Sequence, residues 1–242
     1  AELPGATVWR ERGAVLLDRY DAPALQALFH AHAGLETTTA SSRIRHHALR
    51  LRFIGADQEP VTEGLGVLPG AYNYIVGNDP SRWARNAHAF RAVEQRDLWP
   101  GVDLRLRSED TGFKYDLILV AGADPNAITF AYDGALGIEV RPDRVVIHTS
   151  LGDVVETIPL AYQEVNGVRV PVSCSYRKVG DAIGFALGNY DPERSVVIDP
   201  TLSFSTYSGS LANNFGYTAT FDSDGFLYSG SSICLCLFSF GI

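Results

Sequence analysis

Histidine and serine are the first candidates for chemistry in this sequence. His30 and His32 lie two residues apart on a predicted helix, about 200° around its axis, so their rings do not share a face. His46 and His47 are adjacent, and adjacent side chains of a strand point to opposite faces. The sequence has no H-E-x-x-H zinc motif and no G-x-S-x-G nucleophile motif. The spacing therefore predicts neither a histidine metal site nor a serine-hydrolase elbow.

Ser208 and His148 are the remaining candidates for a nucleophile and its base. Ser208 lies in the stretch TYSGS, where no neighbouring residue is an obvious base. His148 lies in the alternating stretch VVIHTS, and we interpret it as a histidine that is hydrogen-bonded within a strand. No catalytic residue is predicted from these two.

Carboxylates are scattered along the chain, mainly at turns and strand ends. Two of them brought together in space would form a general acid–base pair, but the sequence does not pair them. The members of this set are Asp103, Asp110, Asp116, Asp124, Asp191 and Asp199.

Asp222 and Asp224, in DSDG, resemble the opening of a calcium-binding loop. The later ligands of an EF-hand do not follow them in the sequence. A β-turn that joins YTATF to FLYSG explains the same residues more simply. Asp222 and Asp224 are thus weak calcium candidates, and no cofactor is predicted.

The stretch GNDPSRW, residues 77–83, gathers an amide, a carboxylate, a hydroxyl, a guanidinium and an indole. An Asp can accept a hydrogen bond from the backbone two residues on, and Pro opens a tight or 3₁₀ turn. The tryptophan can then pack beside the preceding strand. We interpret this stretch as a structural corner made by Asn78, Asp79, Pro80 and Trp83.

The elements that position these side chains are predicted to be strands. HALRLRFI (47–54) and VDLRLR (102–107) alternate apolar and polar residues, which is typical of half-buried strands. FKYDLILV (113–120) is almost continuously apolar, which indicates a strand covered on both faces. Turn signals at 141–143, 166–167 and 180–181 predict hairpins.

The predicted fold class is therefore all-β, an antiparallel sandwich or meander. One short helix is predicted over 21–34, with Asp21 as its cap and Gly34 at its end, and a single turn over 122–128. The strand SVVIDP ends at Pro200, after which the composition turns to Ser, Thr, Gly and aromatic residues.

Composition excludes several classes of partner. The 242 residues carry a formal charge of −8 and no basic stripe, so we expect no nucleic acid and no anionic membrane surface as partner. No apolar run reaches the roughly 18 residues of a membrane helix. The sequence lacks methionine, which indicates a processed product or an excerpt. Cys174 is predicted to be a buried free thiol, and Cys234 with Cys236 is a weak metal signal.

Four long stretches in a fixed order resemble a known family. They are LPGAYNYIVGNDPSRWARN, LWPGVDLRLRSEDTGFKYDLILVAGADPNAI, YQEVNGVRVPVSCSY and NYDPERSVVIDPTLSFSTYSGS. Together they resemble the uncharacterised N-terminal β domain that precedes SBBP-type β-propeller repeats in bacterial surface and secreted proteins, some of them associated with gliding motility. Besides the corner residues, the motif residues are Gly101, Asp103, Tyr115, Asp116, Asp199 and Pro200.

The resemblance implies three parts of the chain. Residues 1–200 would form the β domain, without the family's first strand; residues 201–232 would begin the first propeller repeat; and residues 233–242 are an atypical apolar tail. A missing first strand would leave a bare sheet edge, which favours self-association.

The resemblance also implies a role. We expect a non-catalytic structural or interaction module, secreted or at the cell surface, with an unknown protein or glycan as partner. The alternative is a carbohydrate-binding or glycoside-hydrolase-like domain, with Trp83 and Trp99 as platforms for sugar rings. A deep pocket that holds two carboxylates or a Ser–His pair would contradict the leading hypothesis.

Overall fold

A computed structural model describes residues 2–3, 5–25, 27, 43–75, 77–109, 112–204, 218–221, 227–230 and 238–239. The first half of this part contains β1 (Glu2–Leu3), β2 (Ala6–Glu11), β3 (Ala14–Tyr20), β4 (His46–Ile54), β5 (Val61–Val67), β6 (Tyr72–Tyr74), the 3₁₀ helix η1 (Pro80–Arg82), β7 (Ala84–Ala87), β8 (Ala89–Trp99), β9 (Val102–Glu109), β10 (Gly112–Leu119) and the 3₁₀ helix η2 (Pro125–Ala127).

The second half continues with strands alone. They are β11 (Thr129–Asp133), β12 (Gly137–Arg141), β13 (Arg144–His148), β14 (Val154–Thr157), β15 (Leu160–Val165), β16 (Val168–Val172), β17 (Cys174–Val179), β18 (Ala182–Leu187), β19 (Val196–Asp199), β20 (Thr201–Phe204), β21 (Thr218–Phe221), β22 (Leu227–Gly230) and β23 (Phe238–Ser239).

Two antiparallel sheets form the body of the protein, so the predicted all-β class is confirmed. The smaller sheet has the order β1-β2-β3-β4-β11-β18-β17. The larger sheet runs β12-β13-β14-β20-β10-β19-β15-β16, and β9, β8, β5 and β23 extend it from β10. Two separate hairpins, β6–β7 and β21–β22, complete the described strands.

The inner faces of both sheets share one hydrophobic core. Leu49, Leu51 and Phe53 of β4 are buried, whereas Arg50 and Arg52 between them are exposed, which confirms the predicted alternation. An aromatic pair joins the two sheets: the rings of Phe53 and Trp99 meet edge to face, 5.6 Å apart. Trp99 is only 2 % exposed and cannot serve as a sugar platform, so that expectation is wrong.

The predicted turns are at the expected places. The hairpin β15–β16 turns at Asn166-Gly167, both with positive φ, and β17–β18 turns at Gly180. The turn between β12 and β13 contains Pro142 and Asp143. The predicted single turn over 122–128 is η2, capped by the Asp124 side chain.

Only part of the predicted helix lies in the described chain. Residues 22–25 and 27 are helical, and the Asp21 carboxylate accepts a hydrogen bond from the Ala24 amide at 3.2 Å, as a cap does. The rest of 21–34 lies outside the described residues. Within the described ranges, no helix has the length and hydrophobicity to cross a membrane.

Candidate functional site

Two consecutive strands of the large sheet, β19 and β20 (residues 196–204), are here called the anchor segment. Its first half, β19, pairs with β10 on one edge and β15 on the other. Its second half, β20, pairs with β10 and β14. Pro200 separates the two halves, and its missing N–H removes one ladder bond at that position. The anchor segment is therefore hydrogen-bonded along both edges, in the middle of the sheet.

One register runs through both halves of the anchor segment along β10. Leu117 pairs with Ile198, and Lys114 pairs with Thr201. The positions between them consequently place Asp116 opposite Asp199 and Tyr115 opposite Pro200. Four of the motif residues singled out in the sequence thus meet as two cross-strand pairs.

Asp116 and Asp199 lie on the outer face of the large sheet and share one cation. Arg107 on β9 donates from Nη2 to Asp116 Oδ1 at 2.9 Å and to Asp199 Oδ2 at 3.0 Å. Lys114 Nζ lies 3.9 Å from Asp199 Oδ1. Like charges directly opposite each other destabilise a sheet, and the guanidinium offsets that repulsion.

Burial raises the pKa of Asp199, and the neighbouring Asp116 carboxylate raises it further, against the lowering effect of Arg107 and Lys114. Asp199 Oδ1 is buried and accepts no hydrogen bond from the described residues. Among the described members of the scattered set, these two carboxylates are the pair that the strands bring together. Arg107 compensates the charge of the pair, whereas burial and the neighbouring Asp116 carboxylate favour a proton on Asp199.

On the inner face, Glu156 of β14 is fully buried against tyrosines. Tyr132 donates a hydrogen bond to Glu156 Oε2 at 2.7 Å, and Tyr115 donates to Glu156 Oε1. Tyr176 lies beside them and donates to the Thr157 carbonyl at 2.8 Å. Burial raises the pKa of Glu156 to about 7, although the tyrosine hydrogen bonds lower it. This cluster connects β10 and β14 of the large sheet to β11 and β17 of the small one.

Ion pairs continue across the outer face of the large sheet. Arg105 on β9 donates to Glu94 Oε2 on β8 at 2.6 and 2.9 Å. Arg96 on β8 donates to Glu63 Oε2 on β5 at 2.8 Å. The anchor segment is therefore the inner end of a charged row that reaches the edge strand β5.

Two further motif residues shape the turn that leads into β9. Asp103 Oδ1 accepts a hydrogen bond from the Asp97 amide at 2.8 Å, and Asp97 Oδ1 accepts one from the Gly101 amide at 3.1 Å. Gly101 has a φ of +72°, and a Cβ there would lie 3.1 Å from Ala123 and Val120. This turn fixes the position of β9, and with it that of Arg107.

The corner residues hold their own backbone. Asp79 Oδ1 accepts from the Ser81 amide at 3.0 Å and caps η1, which begins at Pro80. The Trp83 indole N–H donates to the Gly77 carbonyl at 3.1 Å. Asn78 is exposed in the same turn. The corner lies in the β6–β7 hairpin, in a sheet separate from that of the anchor segment.

The sequence did not reveal a contact between His47 and Ser150. His47 Nδ1 lies 3.0 Å from Ser150 Oγ and accepts from the Ser150 amide at 3.2 Å, while Nε2 lies 3.0 Å from the Gly134 carbonyl. Arg19 of the neighbouring strand β3, which pairs with His47, is buried and donates to the Gly152 carbonyl at 2.7 Å. The His47 ring thus connects three chain segments at the surface. These segments are far apart in the sequence. They meet because β3 pairs with β4 and the β13–β14 connection contacts both strands.

His148 is hydrogen-bonded within its strand region, as predicted. Its Nδ1 lies 2.8 Å from Asp153 Oδ1, and this contact raises the pKa of His148. Cys174 is a free thiol that is half-buried, and burial raises its pKa to about 12.

Metal candidates are limited by the extent of the described chain. Across the described residues, no group of three or more His, Cys, Asp and Glu side chains is arranged to hold a metal ion. Asp222 and Asp224 lie outside the described residues, although the strands on either side of them, β21 and β22, do form a hairpin.

Sequence reasoning named both aspartates of the anchor but missed Arg107 and Glu156. Arg107 alternates with buried leucines and therefore reads as a solvent-facing side chain. Glu156 shares the inward face with Val154, and a glutamate at a core position of a strand is the signal that was available.

The fold defines an all-β sandwich module in which the anchor segment lies in the centre of the large sheet. The family model described as Domain of unknown function (DUF7948) matches residues 1–201, and the chain belongs to this family. A search of the curated proteins and a search of the solved structures gave no significant match.

Proposed function

We propose that this domain is a non-catalytic structural and interaction module that holds the chain following residue 204. The protein that contains it is, in this proposal, a secreted or cell-surface β-propeller protein of bacteria, as the family resemblance implies. The observation that carries the proposal is the central position of the anchor segment, paired on both edges.

The pairing gives the anchor segment mechanical strength. A strand at an edge can leave a sheet by breaking one ladder of hydrogen bonds, whereas this segment must break two. It must also leave the core, because Val196, Ile198 and Leu202 are buried. On the outer face, its Asp199 is bound to Arg107 of β9. A load applied to the chain beyond residue 204 is therefore passed to β10, β14 and β15 together.

The candidate chemical groups support a structural role. The carboxylates of Asp116 and Asp199 are bound by one guanidinium, and neither lines the cavity described below. The Ser150–His47 contact is exposed and lies outside that cavity as well. Each of these groups makes contacts that join strands or loops, as expected of residues with a structural role.

Force spectroscopy on the full chain tests the proposal. With handles at the two ends, we expect the β-sandwich to unfold as one cooperative unit, with the anchor segment released in the same step as the rest. Release of residues 196–204 alone would lengthen the chain by about 30 Å. A separate low-force step of that length, before the main unfolding step, would contradict the proposal.

A further inference from the structure

A cavity of about 380 Å³ lies on the outer face of the small sheet, far in sequence from the anchor segment. Its wall includes Glu11, Arg12 and Gly13 at the β2–β3 turn, Arg50 and Arg52 on β4, and Gln58 in the loop after β4. The rest of the wall is apolar and consists of Ala14, Phe53, Ile54 and Gly55. Such a cavity suits a ligand that has both polar groups and an apolar face.

Each guanidinium at this cavity is paired with a carboxylate. Arg50 donates to Glu11 Oε2 at 2.7 Å. Arg52 donates to both Asp133 oxygens at 3.0 and 3.1 Å. Arg12 lies 3.0 Å from Glu59 Oε1.

These pairs determine the charge of a matching ligand. Because the positive charges are compensated, the cavity does not favour a phosphate or a carboxylate. Each pair still offers donors and acceptors side by side, since a guanidinium has five N–H groups and a carboxylate several lone-pair sites. A ligand with hydroxyl groups, which both donate and accept, matches this arrangement.

The amide of Gln58 is held directly over Gly13. A Cβ at position 13 would lie 2.6 Å from the Gln58 amide nitrogen and oxygen, so this approach requires glycine, which has a φ of +60° here. The Gln58 amide donates to the Ala56 carbonyl at 2.9 Å. A planar group that both donates and accepts is thereby added to the three ion pairs at the rim of the cavity.

Trp9 extends the same face beyond the cavity. Its side chain is 57 % exposed. Trp9 and Glu11 are two residues apart on β2 and therefore point to the same side of the sheet. Trp9 pairs with Leu16, and Leu16 pairs with Arg50, so the indole lies in the same cross-strand row as Arg50.

We propose that Trp9 and this cavity form a binding site for a neutral glycan. The exposed indole supplies a flat apolar surface for the C–H face of a pyranose ring. The paired Arg and acidic side chains bind the hydroxyls of that ring or the next one. The site goes beyond the anchoring role proposed above and is independent of it, because it lies on the other sheet.

Affinity electrophoresis of the full chain tests the site with three soluble neutral polysaccharides, laminarin, xyloglucan and galactomannan, and with polygalacturonate as an anionic comparison. We expect at least one neutral polysaccharide to retard the wild-type protein. We expect Trp9→Ala and Arg52→Ala to weaken that binding about tenfold or more, since each removes a principal contact. The controls Trp83→Ala and Arg96→Ala change a partly buried indole and an ion pair on the large sheet, and we expect binding within about twofold of wild type.

A second readout does not depend on the folding of the variants. Trp9 is the exposed indole of the site, so the retarding polysaccharide should reduce acrylamide quenching of the wild-type tryptophan fluorescence. Trp9→Phe, which keeps an aromatic ring, should retain most of the affinity. The proposal is overturned if no neutral polysaccharide retards the protein, if polygalacturonate alone does, if Trp9→Ala binds like wild type, or if binding leaves the quenching unchanged.

Discussion

Asp116 and Asp199 lie directly opposite each other on neighbouring strands, and one guanidinium nitrogen of Arg107 binds both, at 2.9 and 3.0 Å. The two carboxylates are contributed by β10 and by the anchor segment, which are separated by about a third of the chain. The cation comes from β9. This contact therefore fastens the anchor segment to two earlier strands.

Removal of the shared cation should destabilise the protein. Arg107→Met leaves two mostly buried carboxylates without their guanidinium, and we expect the free energy of unfolding to fall by about 2–3 kcal/mol. Urea denaturation at pH 7 measures this loss.

Arg96→Met is the matched control for that variant. Arg96 also donates to a carboxylate on the large sheet, but its pair with Glu63 is about half exposed, so the expected loss is below about 1 kcal/mol. Equal losses in the two variants would show that Arg107 has no special role at the anchor segment.

The buried Glu156 should make stability depend on pH. Its pKa is raised from 4.5 to about 7 in the folded protein. Between these pH values the folded state binds more protons than the unfolded state, so the free energy of unfolding falls as pH rises through this window. The fall due to this group is about 3 kcal/mol and is complete above pH 7.

Glu156→Gln removes the titrating group and keeps a side chain of similar shape. Urea denaturation at pH 4.5 and pH 7.5 should show a smaller loss of stability in the variant than in wild type, with a difference of about 3 kcal/mol. The contribution of Asp199, whose pKa is also raised, has the same sign and remains in both proteins. Identical pH dependences would contradict the assigned burial of the carboxylate.

Gly101 should be sensitive to substitution for two reasons. Its φ of +72° strains any other residue, and a Cβ there would lie 3.1 Å from Ala123 and Val120. Gly122 has a similar φ of +78° and open space around it. We expect Gly101→Ala to lower the free energy of unfolding by about 2 kcal/mol and Gly122→Ala to lower it by about 1 kcal/mol. Calorimetry measures the loss of stability in both variants, and the difference between the two losses is the effect of the Cβ contact with Ala123 and Val120. Equal losses would mean that the neighbours move aside without measurable destabilisation.

Local patterns predicted most of the fold. Alternation identified β4 and β9 because one face of each strand is buried, and Asn166-Gly167 identified a hairpin because both residues accept positive φ. The capped turn at Asp79 also follows from local chemistry. Such features depend on a few neighbouring residues, which a sequence shows directly.

The anchor and the glycan cavity depend on strand order, which local patterns do not contain. Asp116 and Asp199 are both visible as motif residues, but their pairing requires the register between β10 and β19. The sequence predicts Trp83 and Trp99 as sugar platforms, but Trp99 is buried, whereas Trp9 is exposed. An alternating strand shows which residues share a face; it does not show which face the other sheet covers.

Native-state hydrogen exchange of the full chain tests the central claim most directly. We predict that the hydrogen-bonded amides of 196–199 and 201–204 exchange as slowly as those of β10. Their exchange then requires global unfolding of the protein. Amides of the edge strands β5 and β16 should exchange at least about 100-fold faster. Exchange of the anchor segment at the rate of these edge strands would contradict the account.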